Sequence, residues 1–291
     1  MQDFFELAVV AAASGCVYGL IGLAYLLVLR PTGIINFAVG EWAMLGAFGG
    51  FVLLTQYEWP YALGIAVALA FMFVVGWVSE RLVVRPLVER GAPLLAPILA
   101  LLGMVVVYRE TISAIFPPDP MPVPYAFGIG RLEIGPIGGT YQSFFIIGVV
   151  LAVFIGAWLF FERTVLGKAF EAVALHRRAA ALMGINLSRV MALSFGAGAV
   201  VAGLGGLLVA PNMSAHYLMG VPLAIQGFTA LVIGGVGRVA GPLVGGLLLA
   251  FAEQLTVRYA PIPSGYAQGM PLILLMLFLV VRPTGLLKAK Q

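Results

Sequence analysis

Two carboxylates lie within long apolar stretches of this sequence, at Glu41 and Glu253. A carboxylate inside a lipid bilayer is costly, so a residue of this kind is a candidate for gating, assembly or ion binding. Each also has a simpler interpretation. Glu41 can bond to neighbouring backbone or to Asn36, and Glu253 can reach the outer membrane interface near Arg258. Both interpretations are open, and the functional one is stronger for Glu41.

Enzymatic chemistry finds no support in the residue pattern. Gly167 and Lys168 do not complete a Walker A loop, because Glu162 occupies the position of its first glycine. The glycines at 234–237 lack the third glycine of a dinucleotide-binding loop. The single cysteine, Cys16, excludes a disulfide framework and a cysteine-based zinc site. We therefore expect no catalytic residue, no metal and no cofactor.

Glycines recur at four-residue spacing, as at Gly15 and Gly19 or Gly46 and Gly50. Such pairs let helix backbones approach closely in a membrane, and packing within the chain is favoured over a subunit interface. The glycine density over 234–246 predicts a broken or re-entrant helix, and breaks at membrane depth usually border a cavity. The candidate pathway residues are therefore Asn36, Glu41, Gly234, Gly235, Gly237, Gly241 and Glu253.

The elements that position these residues must be membrane helices. Of the 291 residues, 62% are hydrophobic and only 10% are charged, which excludes a water-soluble globule. Because a bilayer core needs about 20 residues of helix, the apolar runs predict an all-α, polytopic transmembrane bundle of about seven to nine spans. We expect a single domain over residues 1–291. The runs cover 7–29, 34–56, 59–79, 91–108, 134–161, 190–210, 223–237, 239–252 and 259–281.

The distribution of Lys and Arg predicts the orientation. Alternating the spans places most of the bases on one face, which must be cytoplasmic, so the amino terminus lies outside and the carboxyl terminus inside. The segment 223–258 either crosses twice, with Arg238 at a cytoplasmic turn, or dips into the membrane and returns. An external loop over 116–140 is stiffened by its prolines without helix.

The cytoplasmic loop over 162–189 is the second long hydrophilic segment. It is rich in helix formers and predicts a short helix over 168–183 that Gly184 ends. This helix carries three bases and His176 against one acid, Glu171, on an otherwise apolar background. It can dock in a groove of a soluble partner or lie on anionic lipid headgroups, and composition alone leaves both open.

Five segments together resemble the permease subunits of the branched-chain (hydrophobic) amino acid ABC transporters, and among them the shorter H-type permease. Segment 33–46, GIINFAVGEWAMLG, is similar to the family's second-helix signature, and segment 79–86 to its basic loop. Segment 167–195 resembles the coupling loop, 228–253 the glycine-rich stretch and 282–286 the carboxyl-terminal turn. The match covers nearly the whole chain in order, which makes it more specific than any single motif.

The resemblance implies an importer of a bacterial-type cytoplasmic (inner) membrane. Two permease subunits, this chain and a paralogue, would form the pathway in the lipid bilayer. Two ATP-binding cassette subunits would hydrolyse ATP, and an external binding protein would deliver the solute, with no role for nucleic acid. Val39 stands where the family usually has His, which leaves branched-chain amino acids, aromatic acids, urea and amides open as solutes. The coupling residues that the resemblance implies are Gly167, Lys168, Glu171, His176, Arg177, Arg178 and Gly184.

Two other classes of function are compatible with the residues alone. A secondary transporter or channel driven by an ion gradient would use Glu41 and Glu253 as ion sites and would act without a nucleotidase. A membrane scaffold would assemble with partners without any flux.

Overall fold

The computed structural model describes residues 2–134, 137–259, 269–281 and 285–287. Over these residues the chain is a bundle of α-helices with one β-hairpin. The elements are α1 (Gln2–Thr32), α2 (Val39–Gly50), a π-helical extension of it (Phe51–Gln56), α3 (Tyr61–Ser79), a second π-helical turn (Glu80–Val84), α4 (Arg85–Glu89), α5 (Leu95–Ile115), β1 (Arg131–Ile134), β2 (Ile137–Thr140), α6 (Tyr141–Arg163), α7 (Val165–Leu175), α8 (Arg177–Leu182), α9 (Leu187–Met213), α10 (Gly220–Gly234), α11 (Gly241–Tyr259) and α12 (Met270–Val281).

The bundle has inner and outer helices. In α1 and α9, 67% of the most apolar window is buried within the protein, whereas in α5 only 11% is. The outer helices are nevertheless strongly apolar, so their exposed side chains must face lipid. Five helical segments are long and apolar enough to cross a membrane, and α10 and the core of α12 are shorter apolar helices. The predicted helical membrane bundle is confirmed, and the number of crossings stays a prediction.

Helix α2 lies at the centre of the bundle. Its side chains are buried nearly all round, and Trp42 stacks edge-on against Phe195 of α9 at 5.9 Å. The expectation of a helix from residue 34 is wrong, because residues 33–38 form an irregular segment that ends in a turn, and α2 begins at Val39. Asn36 explains the late start, since its Oδ1 accepts a hydrogen bond from the Ala38 amide at 2.9 Å and competes with helical pairing. Glu41 consequently lies in the first turn of α2.

Helices cross where glycines remove the side chains between them. A Cβ on Gly46 of α2 would lie 2.1 Å from the carbonyl oxygen of Gly203 in α9, and one on Gly206 would lie 1.8 Å from that of Ala43. On the other side of the core, a Cβ on Gly15 of α1 would lie 2.7 Å from the Cα of Leu247 in α11. The glycine pairs seen in the sequence therefore pack within the chain, as predicted.

The glycine-rich stretch forms the turn between α10 and α11. Helix α10 ends at Gly234, and Gly235 (φ +92°) leaves it through the left-handed region that favours glycine. A Cβ on Gly234 would lie 1.8 Å from the Gly241 carbonyl oxygen, so the two helix ends meet backbone to backbone. Arg30, near the end of α1, donates to the Val236 carbonyl at 3.1 Å. The predicted break is confirmed, and whether the segment crosses the membrane twice or dips in and returns stays a prediction.

The proline-rich loop is tied to its neighbours. Met121 and Ala215 exchange backbone hydrogen bonds of 2.8 and 2.7 Å, which joins the loop to the α9–α10 connection. Thr55, in the extension of α2, donates to the Pro122 carbonyl at 3.0 Å. The loop ends in the antiparallel β1–β2 hairpin, which was not predicted, and Arg131 of β1 pairs with Glu6 of α1 at 2.9 Å. We call this set of joined segments the loop end of the bundle.

The α2–α9 crossing yields a stability prediction. Gly46→Ala places a methyl group against the Gly203 backbone, where overpacking should lower the free energy of unfolding by about 1–3 kcal/mol. Gly103→Ala in α5 is the matched control, because a Cβ there meets nothing within 4 Å and alanine favours helix. Thermal unfolding in detergent micelles should show a lower midpoint for Gly46→Ala alone. Equal midpoints for the two variants would contradict the close crossing.

Candidate functional site

Helices α7 and α8 form a short arm between α6 and α9. Helix α7 begins at Thr164, whose hydroxyl accepts a hydrogen bond from the Gly167 amide at 3.0 Å and caps the helix. A Cβ on Gly167 would lie 2.1 Å from the Phe160 carbonyl oxygen, so glycine lets α7 fold back against the end of α6. Phe170 packs edge-on against Phe160 at 5.7 Å. Gly167 therefore positions the arm.

The prediction of one continuous helix over residues 168–183 is wrong. His176 adopts an extended conformation (φ −148°, ψ 95°) that ends α7 and starts α8. Arg177 follows, and its guanidinium turns inward to donate to the carbonyls of Pro31, at 2.9 Å, and of Thr32. These carbonyls belong to the last turn of α1, where no helical amide remains to bind them. The break at His176 thus accompanies the attachment of the arm to α1.

Arg177 is therefore an anchor within this chain, and its predicted coupling role stays a prediction. Partial burial lowers the pKa of its guanidinium from the ordinary value, but arginine remains charged at physiological pH because that value is so high. Gly184 (φ +85°) ends the arm as predicted, with its amide bonded to the Ala181 carbonyl at 3.0 Å.

Large apolar side chains on the arm are exposed. Leu175 is 79% exposed, Leu182 90% and Met183 83%, although the arm lies between two spans and outside the apolar helices. His176 and Arg178 are exposed beside them in the chain, and the Arg178 side chain makes no hydrogen bond or ion pair with the described residues. We call these five residues the arm patch. Large apolar side chains that are exposed so close together in the chain are typical of an interaction site.

Lys168 and Glu171 pair with each other on the exposed side of α7. The Lys168 ammonium donates to Glu171 Oε2 at 3.0 Å and lies 3.5 Å from Glu162. The hydrogen bond to Glu171 raises the pKa of Lys168. Exposed pairs of this kind contribute little to stability. Of the seven predicted coupling residues, His176 and Arg178 are thus the two in the arm patch, and the coupling role itself stays a prediction.

A cavity of about 400 Å³ lies between α1, α9, α10, α11 and the start of α12. Glu253 lines it, and Glu253 Oε2 accepts a hydrogen bond from the Tyr18 hydroxyl at 2.9 Å. Gln226 Nε2 in turn donates to the Tyr18 oxygen at 3.0 Å. Glu253 is therefore hydrogen-bonded to Tyr18 of α1. The alternative that the sequence offered was a position at the outer membrane interface near Arg258. Tyr18, Gln226 and Glu253 form the polar centre of the cavity.

The other pathway candidates lie elsewhere. Glu41 is buried, its Oε2 has no hydrogen-bond partner among the described residues, and it packs against Gly220 at the start of α10. Asn36 Nδ2 is likewise buried without a described partner. Gly234, Gly235, Gly237 and Gly241 lie in the α10–α11 turn. The pathway role of these residues stays a prediction.

Tyr18 and Gln226 escaped the sequence analysis. Both are polar residues in otherwise apolar runs, the same signal that drew attention to Glu253. The phenol of Tyr18 and the amide of Gln226 are uncharged, so they give a weaker sequence signal than an ionisable acid does. Their meeting with Glu253 was not evident, since 208 residues separate Tyr18 from Gln226 and 235 separate it from Glu253.

A family model described as branched-chain amino acid transport system / permease component matches residues 7–279. The chain belongs to this permease family. It is 30% identical over 286 residues to the high-affinity branched-chain amino acid transport system permease protein LivH of Escherichia coli, covering 94% of this chain and 92% of that one. It is 31% identical over 294 residues to the corresponding protein BraD of Pseudomonas aeruginosa, with the same coverage. The resemblance seen in the sequence is confirmed.

A solved structure shares the fold of this permease. PsaBC from Streptococcus pneumoniae, in complex with Fab, superposes with a TM-score of 0.53 and covers 96% of this chain and 91% of its own. At 11% identity this likeness concerns the fold alone. The arm patch and the cavity are features of a transmembrane permease component.

The arginine anchor can be tested within the permease itself. Arg177→Gln leaves the Pro31 and Thr32 carbonyls without their charged donor, so amide hydrogen exchange over residues 165–182 should accelerate roughly tenfold. Arg178→Gln, the adjacent exposed arginine, is the matched control and should leave exchange unchanged. Similar acceleration in both variants, measured by mass spectrometry, would show that Arg177 does not hold the arm.

Proposed function

We propose that this permease forms half of the translocation pathway of an ATP-driven importer, with the arm patch as the docking site for an ATP-hydrolysing subunit. The solutes are branched-chain or other hydrophobic amino acids or related small molecules, delivered by an external binding protein. The arm patch is the observation that carries the proposal. The names of LivH and BraD support the solute class.

The exposed apolar side chains of the arm would gain free energy if a partner protein buried them. Burial of apolar area contributes roughly 25 cal/mol per Å², so leaving Leu175, Leu182 and Met183 in water forfeits several kcal/mol that a partner groove would recover. The two short helices of the arm carry apolar anchors on both sides of the break at His176 and one flanking charge, which suits docking of helices in a groove. The charge is Arg178, which matches an acidic rim on the partner. Since the chain has no complete Walker A loop, ATP hydrolysis belongs to that partner.

The arm is attached to two membrane helices, so a displacement of the arm can be transmitted to both. Gly167 holds α7 against α6, and Arg177 holds the start of α8 against the end of α1. A displacement of the arm patch therefore moves two spans at once. Helix α1 in turn packs on α9, α10 and α11, the helices around the cavity. This linkage connects a docking event at the arm to the interior of the bundle.

The loop end offers the second partner surface. Phe127 is 67% exposed and Ile129 95%, and both lie in the loop that Met121 and Thr55 tie to the bundle. On our proposal this end faces outward and receives the binding protein. The arm then lies in the cytoplasm of a bacterial-type inner-membrane system, with the amino terminus outside and the carboxyl terminus inside. The second permease is a paralogue, and the chain itself needs no cofactor.

Charge reversal in the arm patch tests the docking. Arg178→Glu and, separately, Leu182→Asp should reduce co-purification of the ATP-hydrolysing subunit by roughly tenfold or more. Each variant places a negative charge in the interface, where it is desolvated and faces the acidic rim that we propose for the partner. Arg90→Glu, an exposed arginine after α4, is the control and should co-purify normally. Normal co-purification of both arm variants would remove the arm as the docking site.

Transport by reconstituted vesicles tests the function as a whole. Vesicles that carry this chain with its partner permease and ATP-hydrolysing subunits should take up labelled leucine only with internal ATP at the cytoplasmic face and with binding protein outside. Phenylalanine, benzoate and urea, tested in parallel, define the solute class. Uptake by this chain alone on a sodium or proton gradient would instead identify a secondary transporter.

A further inference from the structure

The cavity around Glu253 has the composition of a solute site. We propose that Glu253 binds the ammonium group of the transported solute, while Tyr18 positions the Glu253 carboxylate and the Gln226 amide binds the solute carboxylate. The solute class is a small aliphatic amino acid or primary amine. This inference rests on the proposed transport function and adds to it a recognition site inside the permease.

The hydrogen-bond order fixes which atoms are available. Gln226 Nε2 donates to the Tyr18 oxygen, so the single phenolic proton of Tyr18 points to Glu253 Oε2. A carboxylate has two oxygens and about four acceptor positions, and Tyr18 fills one of them. Tyr18 therefore acts as a positioning residue, which fixes the carboxylate while leaving it able to accept further bonds.

Charge balance points to a cationic ligand. None of the described residues that line the cavity is basic, so the carboxylate has no cation beside it there. Glu253 is half-buried, and a carboxylate that is partly withdrawn from water is unfavourable without a positive partner. An ammonium group supplies that partner and donates three hydrogen bonds in a compact arrangement, which suits the remaining acceptor positions of Glu253.

The rest of the lining fits an aliphatic body. Val17, Val209, Leu223 and Ile225 are among the apolar residues that line the cavity, and the volume falls in the range of small-molecule sites. Ser14, one helical turn before Tyr18, also lines the cavity, and its hydroxyl and the Gln226 amide are the two groups that can donate to a solute carboxylate. A small zwitterion with an aliphatic side chain thus finds a partner for each of its three parts.

The position of the cavity suits solute entry from the loop end. Met213 at the end of α9, Pro222 in the first turn of α10 and Pro271 at the start of α12 all line it. Ala215, two residues after Met213, makes the backbone bonds to Met121. The cavity therefore opens among helix ends beside the surface that we assign to the binding protein.

The test is solute binding to the purified complex of permeases and ATP-hydrolysing subunits without binding protein. Three probes separate the recognised group: labelled leucine, isopentylamine and 4-methylpentanoate, the last two lacking the carboxylate and the amine respectively. Leucine should bind and be displaced by isopentylamine but not by 4-methylpentanoate. Glu253→Gln keeps the side-chain size and an acceptor for Tyr18, yet should weaken leucine binding roughly 10- to 100-fold.

Two controls keep the result specific. Glu110→Gln changes an exposed carboxylate of α5, paired with Arg109 at 3.8 Å, and should bind leucine as the wild type does. Tyr18→Phe removes the positioning bond but leaves the charge, so it should weaken binding less than Glu253→Gln. Unchanged binding in Glu253→Gln, or displacement by 4-methylpentanoate as effective as by isopentylamine, would overturn the proposal.

Transport by vesicles distinguishes a failure of the ammonium site from a failure of the proposed importer. ATP-dependent leucine uptake by wild-type vesicles, with uptake by Glu253→Gln equally fast, would retain the importer and remove the ammonium site. Wild-type leucine uptake that follows a sodium or proton gradient and is lost in Glu253→Gln would assign the carboxylate to an inorganic cation. That result would overturn both.

Discussion

Backbone contact between helices is the constraint on which the rest of this structure depends. At the α2–α9 crossing the backbones meet through Gly46, Gly203 and Gly206, with no side chain between them. Lipid offers no hydrophobic drive for helix association, so such close van der Waals contact must hold the bundle together. The approach encloses α2 and buries Glu41 in its first turn. The similar contact of Gly15 with α11 brings α1 and α11 close enough for Tyr18 to reach Glu253.

Polar groups inside this packing are arranged by what each can still bind. Arg177 supplies donors to carbonyls that the end of α1 leaves unpaired, which is a structural use of charge. Tyr18 and Gln226 fix one oxygen of Glu253 and leave the carboxylate facing a cavity. The donors of Arg177 are used within the chain, whereas the carboxylate of Glu253 can still accept hydrogen bonds from a ligand. The difference explains why we assign attachment to Arg177 and recognition to Glu253.

Local patterns predicted those features whose causes are local. The apolar runs, the glycine spacing, the helix end at Gly184 and the break after Gly234 are each determined by a few consecutive residues. The break at His176 was not evident, because residues 168–183 are good helix formers and the anchor lies 146 residues away at Pro31. The polar centre of the cavity escaped for the same reason, since its members come from three separate helices. Fold class was thus accessible from sequence, whereas the site depends on distant pairings.

Helix α1 is the element that links the three functional regions. Thr32 at one end receives Arg177 from the arm, and Glu6 at the other end pairs with Arg131 of the β-hairpin. Tyr18 lies between them and holds Glu253 in the cavity. This helix of 31 residues is held at both ends, so Tyr18 lies on the same continuous element as the contacts with the arm and with the hairpin. On our proposal, docking at the arm and solute binding at Glu253 therefore share one helix, although no residue touches both sites.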